Sequence, residues 1–121
     1  MFKPLAFLAA ALALGSAVAP AQDMPGRDMP QDKRAACLAG GGYVERAGMY
    51  GFEQCFHRFT DGGKACKGKK DCQGHCLLAG DTGGLREAGK RAKGVCSADD
   101  NIFGCSTEVE NGRTAMSSCV D

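Results

Sequence analysis

Eight cysteines in a chain of 121 residues constrain this sequence more than any other feature. From Gln22 onward all eight remain, while Leu, Ile, Val and Phe together number only 13. That lies below the roughly one-fifth share under which hydrophobic burial alone rarely sustains a fold. A large α/β enzyme core, a second catalytic domain and a transmembrane bundle are therefore excluded. Disorder is the other usual outcome of so poor a core, but it comes with high net charge. Here 14 Lys and Arg balance 14 Asp and Glu from Gln22 onward. The composition predicts a small disulfide-rich fold: short β-hairpins, one or two short helices and long glycine-rich loops.

Residues 1–21 read as a signal peptide. Lys3 supplies the positive end, Leu5 to Leu14 is an apolar run too short to span a bilayer, and small residues follow through Ala21. Cleavage is expected after Ala21, because a cut after Ala19 would leave Pro20 just beyond it. A lipid anchor would need cysteine at the cut, and the first cysteine is Cys37. The expected location is periplasmic or secreted, where disulfides persist, with no transmembrane segment in the mature chain.

Residues 22–35 repeat Asp-Met-Pro and read as a flexible leader. Residues 36–121 then form a single stapled domain, with two cysteine-bounded lobes, 37–76 and 76–121, as a subdivision. Pro30 suits the opening of a short helix and Gly40-Gly41-Gly42 its end. The run from Cys37 to Cys55 is faintly echoed by that from Cys76 to Cys96, as a duplication would produce. Gln54 to Phe59 alternates as a strand does. Leu85 to Lys93 fits a helix with a basic carboxyl end, weakened by Gly89.

Asn111-Gly112 between Cys105–Glu110 and Arg113–Cys119 is the strongest hairpin signal in the chain. Two registers compete. A two-residue turn pairs Glu110 with Arg113 but puts Cys105 opposite Ser118. A loop one residue longer pairs Glu110 with Thr114 and brings Cys105 opposite Cys119. A Cys105–Cys119 bridge is favoured; the pairing of Cys37, Cys55, Cys66, Cys72, Cys76 and Cys96 stays open, since spacing cannot choose among the possible connectivities.

Four structural disulfides are the expected use of these cysteines, and no cofactor is expected. Covalent haem requires Cys-x-x-Cys-His, and thiol redox catalysis requires Cys-x-x-Cys beside a βαβ unit; the chain has neither. Metal binding by Cys72, His75 and Cys76 is the alternative if the thiols stay reduced. His57 and His75 each have an aspartate four residues away (Asp61 and Asp71), but no serine lies in an elbow or oxyanion-hole context. No catalytic residue is nominated.

Charge is segregated: residues 22–57 carry −1, residues 58–93 carry +5, and residues 94–121 carry −4. Lys64, Lys67, Lys69 and Lys70 concentrate the positive charge in a cysteine-pinned loop. That loop is the candidate binding site for a protein or an anionic glycan or lipid surface. Nucleic acid is not expected, because no aromatic residues interleave with the lysines to stack bases. The rings Tyr43, Tyr50, Phe52, Phe56 and Phe59 read first as a small core and second as a contact surface.

Asp61-Gly62-Gly63-Lys64-x-Cys66, Asp71-Cys72-x-Gly74-x-Cys76, Gly94-x-Cys96 and Phe103-Gly104-Cys105 recur with Gly41-Gly42-Tyr43, Val109-Glu110-Asn111-Gly112 and Cys119-Val120-Asp121. From about Cys37 onward this set resembles a group of small exported, cysteine-rich proteins of Gram-negative bacteria without assigned function. The resemblance implies export and disulfides, and it implies no activity or ligand. The expectation is an exported, non-catalytic, stapled binding module, inhibitor-like or envelope-associated. A secreted toxin or antimicrobial protein acting on membranes is the alternative.

Overall fold

A computed structural model describes Gly15 and residues 26–121; the signal peptide read over residues 1–21 lies outside them but for Gly15. Among the described residues no helix is long and apolar enough to cross a membrane. The chain is a small disulfide-rich protein, its described residues built into antiparallel strands, one α-helix and a lone 3-10 turn. All eight cysteines are bridged: Cys37–Cys55, Cys66–Cys76, Cys72–Cys96 and Cys105–Cys119.

The first unit is α1 (Gln31–Ala39) on the hairpin of β1 (Tyr43–Ala47) and β2 (Phe52–Phe56). Pro30 occupies the N-cap, its fixed φ suiting the helix start. Gly41, at φ 79°, provides the left-handed residue that ends the helix. Gly42 N–H then reaches Cys37 O and Gly41 N–H reaches Leu38 O, closing a Schellman motif. The helix buries Cys37, which bonds Cys55 of β2. Gly42 sits against that bridge so closely that a Cβ there would lie 2.9 Å from both sulfurs.

Order begins before the helix. Arg27 O accepts from Glu53 N–H, and Glu53 Oε2 accepts from Met29 N–H and Arg34. Arg46 pairs with Asp28 on the same side. Ion pairs to the hairpin thus hold residues 27–34 of the segment expected as a flexible leader. The hairpin strand starts at Phe52 and ends at Phe56, displaced toward the amino terminus from the Gln54–Phe59 reading. Phe56 is buried between Tyr43 and Phe103, and the Arg58 guanidinium lies 4.2 Å from the centre of the Tyr43 ring.

The second unit is a five-stranded antiparallel sheet in the order β3-β5-β4-β6-β7. Its strands are β3 (Ala65–Cys66), β4 (Cys76–Leu78), β5 (Gly94–Cys96), β6 (Gly104–Glu110) and β7 (Arg113–Val120). Its core consists of Cys66, Cys76, Cys96 and Val109, with Cys72, Leu78 and Ala92 packed against it. Sulfur does most of the filling. The two core bridges interlock in sequence, because Cys72 lies between Cys66 and Cys76 while bonding Cys96. Cys76 and Cys96 face each other across β4 and β5, yet each bonds a different partner. The pairing in the second run therefore differs from that of Cys37 with Cys55.

The closing hairpin takes one pairing from each register considered above, Glu110 with Arg113 from the first and Cys105 with Cys119 from the second. Asn111 (φ 52°) and Gly112 (φ 69°) form a two-residue turn with left-handed backbone at both positions, and Glu110 pairs with Arg113. Beyond Val109↔Thr114 the register shifts, so that Thr107 pairs with Ser117 and Cys105 with Cys119. Ala115 and Met116 together oppose Glu108, a β-bulge that adds the one residue the bridge needs. Glu108 meanwhile pairs with Leu77 of β4.

No helix forms over Leu85 to Lys93. Gly83, Gly84 and Gly89 all take left-handed φ values, 92°, 88° and 83°, and tertiary hydrogen bonds claim the segment instead. Thr114, buried in the sheet, accepts from Lys90 N–H and donates to Glu87 O, while Arg86 N–H reaches Ser117 Oγ.

Candidate functional site

The lysine loop is shaped by short-range bonds and one bridge at each end. Lys64 O accepts from Cys96 N–H, which fixes Lys64 at the start of the β3 edge. The 3-10 turn Lys69–Asp71 follows, and the Asp71 carboxylate turns back to accept Lys67 N–H at 2.9 Å. That hydrogen bond, then the Gly68 N–H and the charges of Lys70 and Lys64, hold the Asp71 carboxyl below the usual aspartate range. Lys64 Nζ donates to Asp71 O at 3.1 Å.

The four lysines of this loop do not form one patch. Lys64 and Lys67 line an open cleft of about 940 Å³ together with Ala65, Cys66, Asp71, Arg91, Ala92, Lys93, Gly94, Asn111 and Gly112. Lys70 faces a smaller depression of about 320 Å³ where Asp71 and Glu110 offset it. Lys69 lines neither, and its backbone N–H is taken by Glu110 at 3.2 Å. The cleft gains instead Arg91 and Lys93, which no local motif marked. They arrive because the loop 81–93 is tied to the end of the closing hairpin.

Those ties set the cleft's width. Gly112 N–H donates to Lys67 O, and Gly112 O accepts from Ala92 N–H, each at 3.0 Å. One residue of the hairpin turn thus stands between Lys67 and Ala92, just beyond the point where the two segments run as neighbouring strands with Ala65 beside Val95 and Cys66 beside Gly94. Among the described residues, no carboxylate oxygen comes within 4.0 Å of the charged groups of Lys64, Lys67, Arg91 or Lys93, whereas Arg34, Arg46, Arg86 and Lys90 are all ion-paired. The cleft therefore presents four cations against the single carboxylate of Asp71.

The other candidate groups are engaged elsewhere. His75 Nδ1 lies 3.0 Å from Glu108, and His57 Nδ1 lies 3.5 Å from Asp100. Cys72 and Cys76 bond Cys96 and Cys66. The sulfurs of Cys66, Cys72 and Cys76 do lie within 4.8 Å of one another, but as disulfide sulfurs; thiolate ligation would first require reduction. Of the five rings read as one core, Phe56 is buried while Tyr50 (63% exposed) and Phe52 (47%) meet in a tilted contact at the β1–β2 tip beside Met49 (69%).

Compared with protein-family models, with curated proteins and with solved structures, the chain matches none. The geometry of the cleft and the bridges is accordingly what bears on function.

Proposed function

We propose that this protein is an exported, non-catalytic binding module that holds an anionic envelope component in the cleft between Lys64–Lys67 and Arg91–Lys93. The observation that carries this reading is the charge of that cleft: four cations, none ion-paired among the described residues, on backbone fixed by hydrogen bonds and disulfides. A pre-shaped site loses little conformational entropy on binding. Export is supported by the leader-like residues 1–21, by the complete use of the cysteines in bridges and by the resemblance noted above.

Retention on a resin coated with an anionic polymer tests the reading. The folded chain should be retained at low salt and released as salt rises. A variant carrying Lys64→Gln, Lys67→Gln, Arg91→Gln and Lys93→Gln should pass through unretained. Equal retention of the variant would defeat the proposal. The exposed tip of Met49, Tyr50 and Phe52 favours a second reading, action on membranes, and dye release from anionic vesicles at high protein concentration tests it.

A further inference from the structure

We propose that the Cys105–Cys119 bridge is a thiol-exchange site, opened by an external dithiol while the rest of the molecule stays folded. Position is the first argument. Cys105, Thr107 and Val109 share one face of β6, since side chains alternate along a strand, and Thr107 and Val109 are each 1% exposed there. The segment 81–90 supplies their cover: Arg86 N–H reaches Ser117 Oγ, while Thr114 Oγ1 donates to Glu87 O and accepts from Lys90 N–H. Thr107 pairs with Ser117, and the next pair on that face is Cys105 with Cys119. The cover stops one pair short of the bridge, and both of its cysteines are exposed.

The other three bridges are shielded. Each contains at least one buried cysteine: Cys37 in the first, Cys66 and Cys76 in the second, Cys96 in the third. Backbone also packs on two of them, Gly42 on Cys37–Cys55 and Gly94 on Cys66–Cys76. At Gly104, one residue before Cys105, no heavy atom beyond the chain neighbours lies within 4 Å of where a Cβ would stand. A thiolate must reach a disulfide sulfur to exchange with it, so access decides which bridge reacts.

The step conserves atoms and electrons. A thiolate of the dithiol gives its electron pair to one bridge sulfur, the Cys105–Cys119 bond breaks, and the other sulfur leaves as thiolate. The second thiol of the reagent, once deprotonated, attacks the mixed disulfide and releases the remaining cysteine. Both cysteine thiolates take up the protons that the dithiol gave up. The dithiol ends as a disulfide, oxidised by two electrons, and the cystine ends as two thiols.

The first unit lies next to this bridge. Phe103 meets Phe56 edge-on, and a Cβ on Gly48 would lie 3.0 Å from the Phe103 ring and 3.4 Å from the Asp121 backbone. The bridge therefore clamps the two strand ends that close on the β1–β2 hairpin. Asn111 and Gly112, at the opposite end of β6 and β7, belong to the cleft. Reduction should loosen the first unit and leave the cleft intact.

Timed exposure of the oxidised full chain to dithiothreitol, an alkylating quench and peptide mass mapping test the proposal. Cys105 and Cys119 should be alkylated at least ~10-fold faster than any of the other six cysteines, whose release waits on opening of the folded core. Another bridge opening first, or all four opening together, would overturn the site. A Cys105→Ser, Cys119→Ser variant should gain no label over the same interval, and labelling of it at the wild-type rate would count equally against the site. In the chain reduced at this bridge alone, amide exchange across Phe52–Phe56 should quicken at least ~3-fold while that across Gly94–Cys96 stays unchanged. Unchanged exchange across Phe52–Phe56 would overturn the clamp on the first unit while leaving the exchange site standing.

Discussion

The two units of this molecule reach stability by different routes. The α1–β1–β2 unit uses one bridge, a cluster of rings and a set of ion pairs. Phe56 lies under Tyr43 and Phe103, and Glu53 gathers Met29, Arg34 and Arg46. The five-stranded sheet has almost no apolar side chains inside, and its centre is two interlocked cystines with Val109 and the buried Thr107 and Thr114. The units share one device: a glycine pressed against a disulfide, Gly42 on Cys37–Cys55 and Gly94 on Cys66–Cys76. A bridge between strands this short can be approached closely only where the neighbouring backbone has no side chain. The comparison shows that cystine can replace aromatic bulk as core, at the cost of excluding any Cβ beside it.

The comparison predicts a ranking of effects. Replacing Cys66, Cys72, Cys76 and Cys96 by alanine should abolish cooperative unfolding, because each lost bridge costs about 2–4 kcal/mol and the sheet has little other core. Removing Cys105 and Cys119, both exposed, should leave a cooperative fold. Urea melts of the two variants decide this, and equal losses would break the distinction between core and edge bridges.

Phe56→Ala should cost about 3–5 kcal/mol, expressed in the first unit as faster amide exchange across β1 and β2. Gly94→Ala and Gly42→Ala should each cost about 1–3 kcal/mol by overpacking. The larger effect is expected at Gly94, where the added Cβ would lie 2.4 Å from Cys76 Sγ against 2.9 Å for the contacts at Gly42. A smaller effect at Gly94 would show that the sheet relaxes around its sulfur core.

Next in size is the pH response of the first unit. The hydrogen bond of Tyr43 OH to Asp99, with burial and the Asp99 charge, raises the Tyr43 pKa to about 12. A raised folded pKa stabilises the neutral phenol, so this contribution is complete below pH 10 and declines as pH rises toward 12. Glu53 titrates in the opposite sense. Its carboxyl is held below the usual range by Met29 N–H and by Arg34, so its contribution is present at neutral pH and is lost as pH falls through the lowered value. Phenolate absorbance and thermal melts across pH should show a first unit sensitive at both extremes, and Glu53→Gln should remove the acid limb that Glu53 supplies.

The smallest effect on stability is expected at the cleft. Lys64→Gln and Arg91→Gln should change unfolding free energy by less than about 0.5 kcal/mol, because neither side chain has an ion-pair partner among the described residues. Asp71→Asn should keep the acceptor for Lys67 N–H while raising the affinity for polyanions.

Much of this architecture was legible from residue order. Pro30 and the glycine triplet marked α1, Asn111-Gly112 marked the closing hairpin, and the Cys105–Cys119 bridge was expected, though from a longer loop where the structure uses a bulge. The disulfide-rich class followed from cysteines set against so few apolar residues. What stayed hidden was long-range. Leu85 to Lys93 carries helical signals, but Thr114 and Ser117, more than twenty residues away, claim its backbone. Arg91 and Lys93 could not be joined to Lys64 and Lys67 without knowing that β3 pairs with β5 and that Gly112 ties Lys67 to Ala92. Lys69 and Lys70 looked equivalent to their neighbours until the 3-10 turn sent them toward Glu110. The strand alternation near Phe56 was visible, but not that Tyr50 and Phe52 would be left at the tip.

The bulge at Ala115 and Met116 gives the closing hairpin a parity it would otherwise lack. Between Cys105 and Cys119 lie 13 residues, an odd number, which a two-residue turn cannot divide into equal strands. One unpaired position absorbs the remainder. The consequence is that the staple does not depend on both of these residues being present. Loss of either would leave five residues on each side of the turn, with Glu110 still opposite Arg113 and Cys105 still opposite the second cysteine. A single-codon deletion at this place should therefore straighten the strand and keep the bridge.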